Sequence, residues 1–428
     1  MSAPAGQRRS VLFLQGPLSP LYRLIGQDLA RRGHAVHRIN LNLGDRLDWG
    51  GRNATDFRGR LDAWPGFVDR VMAREGVTDL VLHGDRRVYH RLAAERARAR
   101  GVRVIATELG YIRPDFMTIE RDATSTGSHF PVDPDAIRAI AAAVPEPDLA
   151  LRYPGSFRMQ AVPDVAYNLT NSFLWFLYPH FRRHTPSHPI PEYTAWGLRL
   201  LTKARRDRDA AAALAALAGT PYFVLPLQLE GDFQLRDHSP YGGMRPALAV
   251  VLDSFRDHAP PGTRLAIKSH PLDDGLARPG AAIRRMAAER GLGDRVLFLD
   301  GGGLAPLVEE SRGLVTVNST AGLEAILAGR PVKTLTPTIY GVSGLVDDRP
   351  LDAFWADPMP PDAELATAFV RAIAATVQVK GSIYSEDGCR AAAAAMAARI
   401  ADGSLNEPGG FVDPPPRLAA ARALGCPL

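Results

Sequence analysis

Along the N-terminal third of the chain, short apolar runs alternate with longer stretches in which apolar residues recur every three or four positions. The runs at Val11–Leu14, Ala35–Ile39, Leu80–Leu82 and Val102–Ala106 have strand length and read as strands of a parallel sheet buried on both faces. The amphipathic stretches between them, around Tyr22–Arg32, Gly66–Arg74 and Val88–Arg100, predict helices that cover those faces.

A second series of the same rhythm begins at Tyr222–Leu227. It continues through strands at Leu265–Lys268, Val296–Leu299, Leu314–Val317 and Val332–Leu335. Helices are expected between them at Met244–His258, Ala281–Arg290, Leu304–Glu310 and Thr320–Ala328, with two more at Asp362–Gln378 and Arg390–Ile400. Between the two series, Pro163–Ala218 changes character. It is helical in pattern and rich in aromatic and basic residues (Phe173, Trp175, Phe176, Tyr178, Phe181, Arg182, Arg183, His184), with a break at Pro186–Pro191.

The expected fold class is therefore α/β: two Rossmann-like domains with a helical linker and C-terminal helices. The boundaries fall at 1–160, 161–218, 219–350 and 351–410, and a loosely ordered tail follows from 411 to 428. This arrangement resembles the GT-B plan of glycosyltransferases. In such sheets, phosphate-activated ligands lie beyond the carboxyl ends of the strands, here expected in a crevice between the two halves.

Composition narrows the picture by exclusion. With 428 residues, 46% apolar and 23% charged, the chain has the make-up of a globular protein of two or three domains. Its two cysteines, Cys389 and Cys426, rule out a disulfide framework or a cysteine-rich metal site and fit a reducing compartment. The net charge of +5 suits an anionic substrate or membrane surface, and no Lys/Arg block is dense enough to argue for nucleic acid. No apolar run is long enough to span a bilayer. Arg8-Arg9 ahead of Val11–Leu14 imitates a signal peptide, but Gln15-Gly16-Pro17 follows at once, so a first strand is the better reading. A cytoplasmic protein able to lie against an anionic membrane surface is expected.

Candidate chemistry gathers where strands end. Strand Leu314–Val317 runs into Asn318-Ser319-Thr320 and a helix, a pattern equally suited to a plain N-cap and to an anion site, with Glu324 one turn on. Lys268 and His270 end another strand, where either side chain can neutralise a phosphate or carboxylate. Gln228, Glu230, Asp232, Gln234 and His238 crowd the loop after Tyr222–Leu227, a setting for nucleophilic or acid/base work. In the first half, Glu108 and Arg113 follow Val102–Ala106, Gln15 follows the first strand, and His83 ends the third. No G-x-G-x-x-G, Walker, H-E-x-x-H or G-x-S-x-G motif occurs, which argues against a dinucleotide dehydrogenase. Asp273-Asp274 and Asp347-Asp348 read as surface turns, and neither a metal nor a cofactor is expected.

Taken in order, these stretches resemble the KpsS/LipB-type capsule polysaccharide proteins, β-Kdo glycosyltransferases related to KpsC. The stretches are Glu108–Phe116, Pro226–Gln234, His238–Tyr241, Lys268–Leu272, Val317–Glu324 and Pro331–Leu335 with Ile339-Tyr340 and Gly344-Leu345. The resemblance implies CMP-Kdo as donor, retention of the β-configuration, and a (lyso)phosphatidylglycerol acceptor on which a poly-Kdo linker for capsule export begins. It also implies a cytoplasmic place peripheral on the inner membrane, beside a KpsC-like transferase and the export machinery. Related retaining Kdo transferases carry a Q-x-x-x-D pattern whose Asp is the proposed nucleophile. Gln228 and Asp232 match it, so the resemblance assigns that role to Asp232, with Glu108 as proton acceptor. It places Lys268, His270, Asn318, Ser319, Thr320, Glu324 and Tyr340 on the donor side. Gln15, Arg113, His238, Arg182 and Arg183 fall on the acceptor side. The alternatives are another GT-B sugar-nucleotide transferase or epimerase, and a non-catalytic component of the export assembly.

Overall fold

The structure, a computed structural model, describes residues 8–51, 53–183 and 189–428. His184 and the start of the Pro186–Pro191 break lie outside the described residues. Among the described residues twelve strands form two sheets: β1 (Ser10–Phe13), β2 (Ala35–Asn40), β3 (Ala54–Asp56), β4 (Asp79–His83), β5 (Arg103–Leu109), β6 (Phe116–Arg121), β7 (Tyr222–Pro226), β8 (Arg264–Lys268), β9 (Val296–Leu299), β10 (Gly313–Thr316), β11 (Val332–Thr334) and β12 (Gln378–Lys380).

The first sheet has the order β12-β6-β5-β4-β1-β2-β3. Its members from β3 to β5 are parallel, while β6 and β12 are each antiparallel to their neighbour. The predicted central strands are wholly buried because helices cover both faces, as continuous apolar runs such as Val11–Phe13 require. One face holds Phe13, Tyr22, Ile25, Ile105 and Ile119. The other holds Leu12, Trp64, Val68, Leu80 and Leu82.

Two features of this sheet were not expected from the sequence. The stretch after β5 turns back at Gly110 to form β6. Gly110 N–H donates to the Phe116 carbonyl over 2.9 Å, an approach so close that a Cβ at Gly110 would occupy the Phe116 backbone. The chain also returns after the second series: β12 pairs with β6, and the helix Glu386–Asp402 packs against Leu21–Arg31 in the same core. Its run of alanines from Ala391 to Ala395, with Ala397 and Ala398, lets two helix backbones approach closely, and Ser385 caps it by accepting from Gly388 N–H.

The second sheet is all parallel, in the order β11-β10-β7-β8-β9. Its core joins Phe223, Val251, Phe255, Leu265 and Ile267 to Phe354 and Trp355. The C-terminal tail differs from expectation. Leu418–Ala423 is helical, and the buried Arg417 donates through Nε to the Thr338 carbonyl over 2.7 Å and through Nη2 to the Ile339 carbonyl over 2.7 Å. A buried guanidinium that satisfies two loop carbonyls holds down a segment whose Pro-rich composition suggested disorder.

Contacts divide the chain into two compact units. One comprises residues 1–131, 140–184 and 370–416, and the other 132–139, 185–369 and 417–428. In both sheets the first strand lies at the switch point with later strands added on either side, so the two-fold α/β organisation read from the sequence is present.

Candidate active site

In the second unit, strand order reverses between β7 and β10, the place where a doubly wound sheet opens a cleft at its carboxyl ends. Gln228 follows β7 and Asn318 follows β10, and the two bridge that opening. Gln228 Nε2 donates to Asn318 Oδ1 over 2.8 Å, and Asn318 N–H donates to Gln228 Oε1 over 3.3 Å. Asn318 Nδ2 donates in turn to the Gln234 carbonyl over 2.6 Å and the His238 carbonyl over 3.3 Å. Both amides are buried, so Gln228 and Asn318 hold the 228–238 loop against the end of β10.

That loop presents Asp232, which is half-buried. Its Oδ1 accepts from Gln234 N–H over 2.9 Å, capping the short helix Phe233–Arg236 and fixing the direction of the carboxylate. Glu230 turns away and accepts from Met244 N–H over 3.2 Å at the start of the helix Met244–His258. His238 is buried, and its carbonyl is a member of the Asn318 network.

After β10, Ser319 Oγ accepts from Ala321 N–H over 3.2 Å, and the Ser319 carbonyl accepts from Gly322 N–H over 3.0 Å. The first amides of the helix Ala321–Leu327 are thus engaged within the turn, and Thr320 at its cap position makes no side-chain capping bond. Glu324 is exposed one turn on. Tyr340 lies behind the turn rather than over it. Its hydroxyl donates to the Ser319 carbonyl, and burial raises its pKa. Gly322 is small because Tyr340 is there: a Cβ at that position would lie 2.8 Å from Tyr340 Cζ.

The neighbouring strand β8 delivers Lys268, buried, with Nζ donating to the Ser269 carbonyl over 3.3 Å. Burial lowers its pKa, and the nearby Asp300 partly offsets this. His270 is half-buried, and its Nδ1 accepts from Leu272 N–H over 3.0 Å. A cluster absent from the sequence reading surrounds this strand end. Asp300, just beyond β9, receives Arg199 Nη2 at 2.7 Å and Ser269 Oγ at 3.0 Å, with Arg206 Nη1 at 3.5 Å. Burial pushes the Asp300 carboxyl up, but the Arg199 and Ser269 hydrogen bonds and the two guanidinium charges outweigh it, leaving the pKa lowered. Arg199 and Arg206 belong to the helical middle segment and stood in no motif. Only the fold brings them to a strand end.

The first unit has its own polar cluster at its switch point, between β1 and β4. Gln15, after β1, accepts from Arg87 Nη1 over 3.0 Å and donates through Nε2 to Asp45 Oδ1 over 3.2 Å and to the Tyr167 hydroxyl. Glu108 near the end of β5 accepts from Leu109 N–H over 3.0 Å and lies 3.7 Å from His83 Nε2. His83 Nδ1 is 3.0 Å from Thr107 Oγ1, which is 2.8 Å from the Tyr22 hydroxyl. Burial, reinforced by the Arg87 charge, holds the His83 pKa far below its usual value, so the ring is neutral. Burial also raises the Glu108 pKa, against the Leu109 hydrogen bond and the charges of Arg87 and Arg113. A carboxyl with a raised pKa beside a neutral imidazole is equipped to exchange protons. Arg113 itself is exposed. Arg182 is exposed as a side chain while its N–H donates to the Tyr89 hydroxyl over 3.1 Å, and Arg183 braces the helix Phe157–Phe173 through Asn168 Oδ1 over 2.6 Å. Arg87, Asp45 and Tyr167, which complete this cluster, stood in no motif.

A model of the capsule polysaccharide biosynthesis protein family matches residues 78–384, well over half of the chain. The chain belongs to that family. Within it, the capsule polysaccharide modification protein LipB of Neisseria meningitidis serogroup A is 29% identical over 88% of this chain and 92% of its own length. The capsule polysaccharide export protein KpsS of Escherichia coli is 28% identical over 88% of this chain and 97% of its own length. Among solved structures, the Thermosulfurimonas dismutans KpsC β-Kdo 2,7 transferase aligns over 92% of this chain and 99% of its own, at 16% identity and a TM-score of 0.43. Glu108, Gln228, Asp232, Lys268, Asn318 and Tyr340 all fall inside the matched span.

Proposed function

We propose that this family member is a retaining β-Kdo transferase that moves Kdo from CMP-Kdo to a (lyso)phosphatidylglycerol acceptor, starting the linker on which a capsule chain is exported. The observation that carries the reading is the placement of Asp232. It is an oriented carboxylate at the carboxyl-end opening of a parallel sheet, on a loop that buried Gln228 and Asn318 hold in place.

In this mechanism an Asp232 oxygen attacks the anomeric carbon of Kdo. The bond from that carbon to the CMP phosphate oxygen breaks, and CMP departs with the electron pair. The acceptor hydroxyl then attacks the same carbon and expels Asp232, so two inversions give net retention. Lys268 supplies positive charge, and His270 a hydrogen bond from Nε2, for the phosphate and the donor carboxylate. The exposed Glu324 is assigned to the ribose or base. Glu108, with its raised pKa and the adjacent neutral His83, takes the proton from the acceptor hydroxyl. No cofactor is assigned. The expected setting is the cytoplasmic face of the inner membrane, beside a KpsC-like enzyme and the export machinery.

The test is intact-protein mass spectrometry after incubation with CMP-Kdo alone, followed by addition of lyso-phosphatidylglycerol. Wild type gains one Kdo mass, which disappears as the lipid gains it. Asp232→Asn keeps the cap, because Asn accepts from an amide as Asp does, and so folds normally but forms no adduct. Full turnover by Asp232→Asn removes the nucleophile assignment. Absence of CMP release with every lipid acceptor removes the reading. Thermal-shift ranking of CMP against UDP and GDP separates it from other sugar-nucleotide enzymes.

A further inference from the structure

The helix Phe157–Phe173 is unusual for its length: none of its residues is buried. Its two faces differ. Tyr167 and Asn171 pack on Gly44, with Gly44 N–H donating to Asn171 Oδ1 over 3.1 Å, while Pro163, Ala166 and Thr170 help wall a cavity of about 250 Å³ in the same unit. The other face carries Val162, Val165 and Phe173 at helical spacing, all exposed. The chain then enters a 3-10 turn at Trp175–Leu177, where Trp175 and Phe176 are 62% and 58% exposed. Large aromatic side chains on a ridge with no buried backing are costly in water and fit a partner that flows around them.

The charge on this ridge completes the chemistry. Arg158 leads the apolar stripe and Arg182 lies beyond the turn, both exposed, and Asp164 is the lone acidic residue between them in sequence. Among the described residues no helix is long and apolar enough to cross a membrane, so any lipid contact of these residues is lateral. Tyr178 and Phe181 are taken up inside the unit instead, the latter stacked on Tyr89 at 6.1 Å between ring centres. The outward set is thus Val162, Val165, Phe173, Trp175 and Phe176, flanked by arginines.

We infer that this helix and turn form a docking face for an anionic glycerophospholipid bilayer. The aromatics sit at headgroup depth, the arginines meet lipid phosphates, and the cavity side of the helix faces the protein. The inference rests on the lipid-acceptor reading for its choice of partner. Its surface argument stands on the exposure and charge of these residues.

The experiment is co-sedimentation of the full chain with phosphatidylglycerol-containing vesicles and with purely zwitterionic ones. Trp175→Glu/Phe176→Glu and Arg158→Glu/Arg182→Glu are compared with Val250→Glu, an exposed apolar residue on the helix Met244–His258. The aromatic pair is expected to lower vesicle partition about tenfold or more. The arginine pair is expected to abolish the preference for anionic vesicles, and Val250→Glu to change nothing. Equal binding by wild type and the aromatic variant overturns the docking face. So does a wild-type dimer, seen by light scattering, that the aromatic variant converts to monomer, since the face is then a self-interface. Transfer from CMP-Kdo to a short-chain, monomeric phosphatidylglycerol separates the two proposals. The aromatic variant retains it if both stand. If wild type lacks it while vesicle binding still follows the aromatic face, the transferase reading fails and the docking face stands.

Discussion

Replacing Asn318 by Ala asks whether this residue braces the 228–238 loop or contacts the donor. The side chain is buried and takes part in three hydrogen bonds: to Gln228 Nε2 at 2.8 Å, the Gln234 carbonyl at 2.6 Å and the His238 carbonyl at 3.3 Å. Truncation removes one hydrogen bond from each of one donor and two acceptors. A buried polar group stripped of its partner costs about 1–3 kcal/mol, and water reaches the half-buried Gln234 carbonyl more easily than the others, so the total is about 3–5 kcal/mol. For a unit of this size the thermal midpoint then falls by about 10 °C. Calorimetry with two resolved transitions, together with hydrogen exchange at 223–228 and 314–318, measures the loss and locates it in the second unit. Gln228→Ala removes the same pairing from the other side, so the double variant should cost at least about 1 kcal/mol less than the sum of the singles. A loss below about 1 kcal/mol in Asn318→Ala, strict additivity, or a raised donor KM with unchanged stability refutes the bracing role.

Three further outcomes follow from the geometry. Burial raises the Asp48 pKa to about 6, against the charges of Arg38 and Arg23. The folded state therefore holds this proton more tightly than the unfolded one, and stability falls as pH rises from about 4 to about 6 and stays level above. Asp48→Asn should remove that fall and gain about 1–3 kcal/mol at pH 7 by urea titration; an unchanged pH dependence counts against it. Gly322→Ala should cost about 2 kcal/mol by driving a methyl into the Tyr340 ring, with partial recovery in Gly322→Ala/Tyr340→Phe, and a neutral Gly322→Ala contradicts the packing. If Glu108 is the base, the acid limb of kcat/KM rises with pH through a value above that of an ordinary glutamate, and Glu108→Gln abolishes the limb; a limb that persists in Glu108→Gln assigns it to another group.

The comparison of sequence with structure turns on which information is local. Apolar run length and helical spacing are local, so β1, β2, β4 and the strands of the second sheet lie within a residue of expectation, while β5 runs three residues further than expected. Motifs at strand ends are local as well. Glu108, Asp232, Lys268, His270 and Asn318 were legible because a doubly wound sheet always turns its carboxyl ends toward its cleft. Their roles were not equally legible. Gln228 and Asn318 bond to each other, and Tyr340, placed on the donor side by the resemblance, packs behind the turn after β10.

What the sequence by itself determined is the two-fold α/β rhythm, the absence of dinucleotide and metal motifs, and an ordered set of polar strand ends. Tertiary structure alone decided the rest. It folded the C-terminal strand β12 and the helix Glu386–Asp402 into the first unit, tied the tail down through Arg417, and brought Arg199 and Arg206 to Asp300. It also left Trp175 and Phe176 outside the core while taking Tyr178 and Phe181 into their unit. The physical reason is common to all of these. Whether a short strand finds an edge, a guanidinium finds a carboxylate, or an aromatic ring finds a core depends on surfaces contributed from far along the chain, and no pattern of neighbouring residues encodes them.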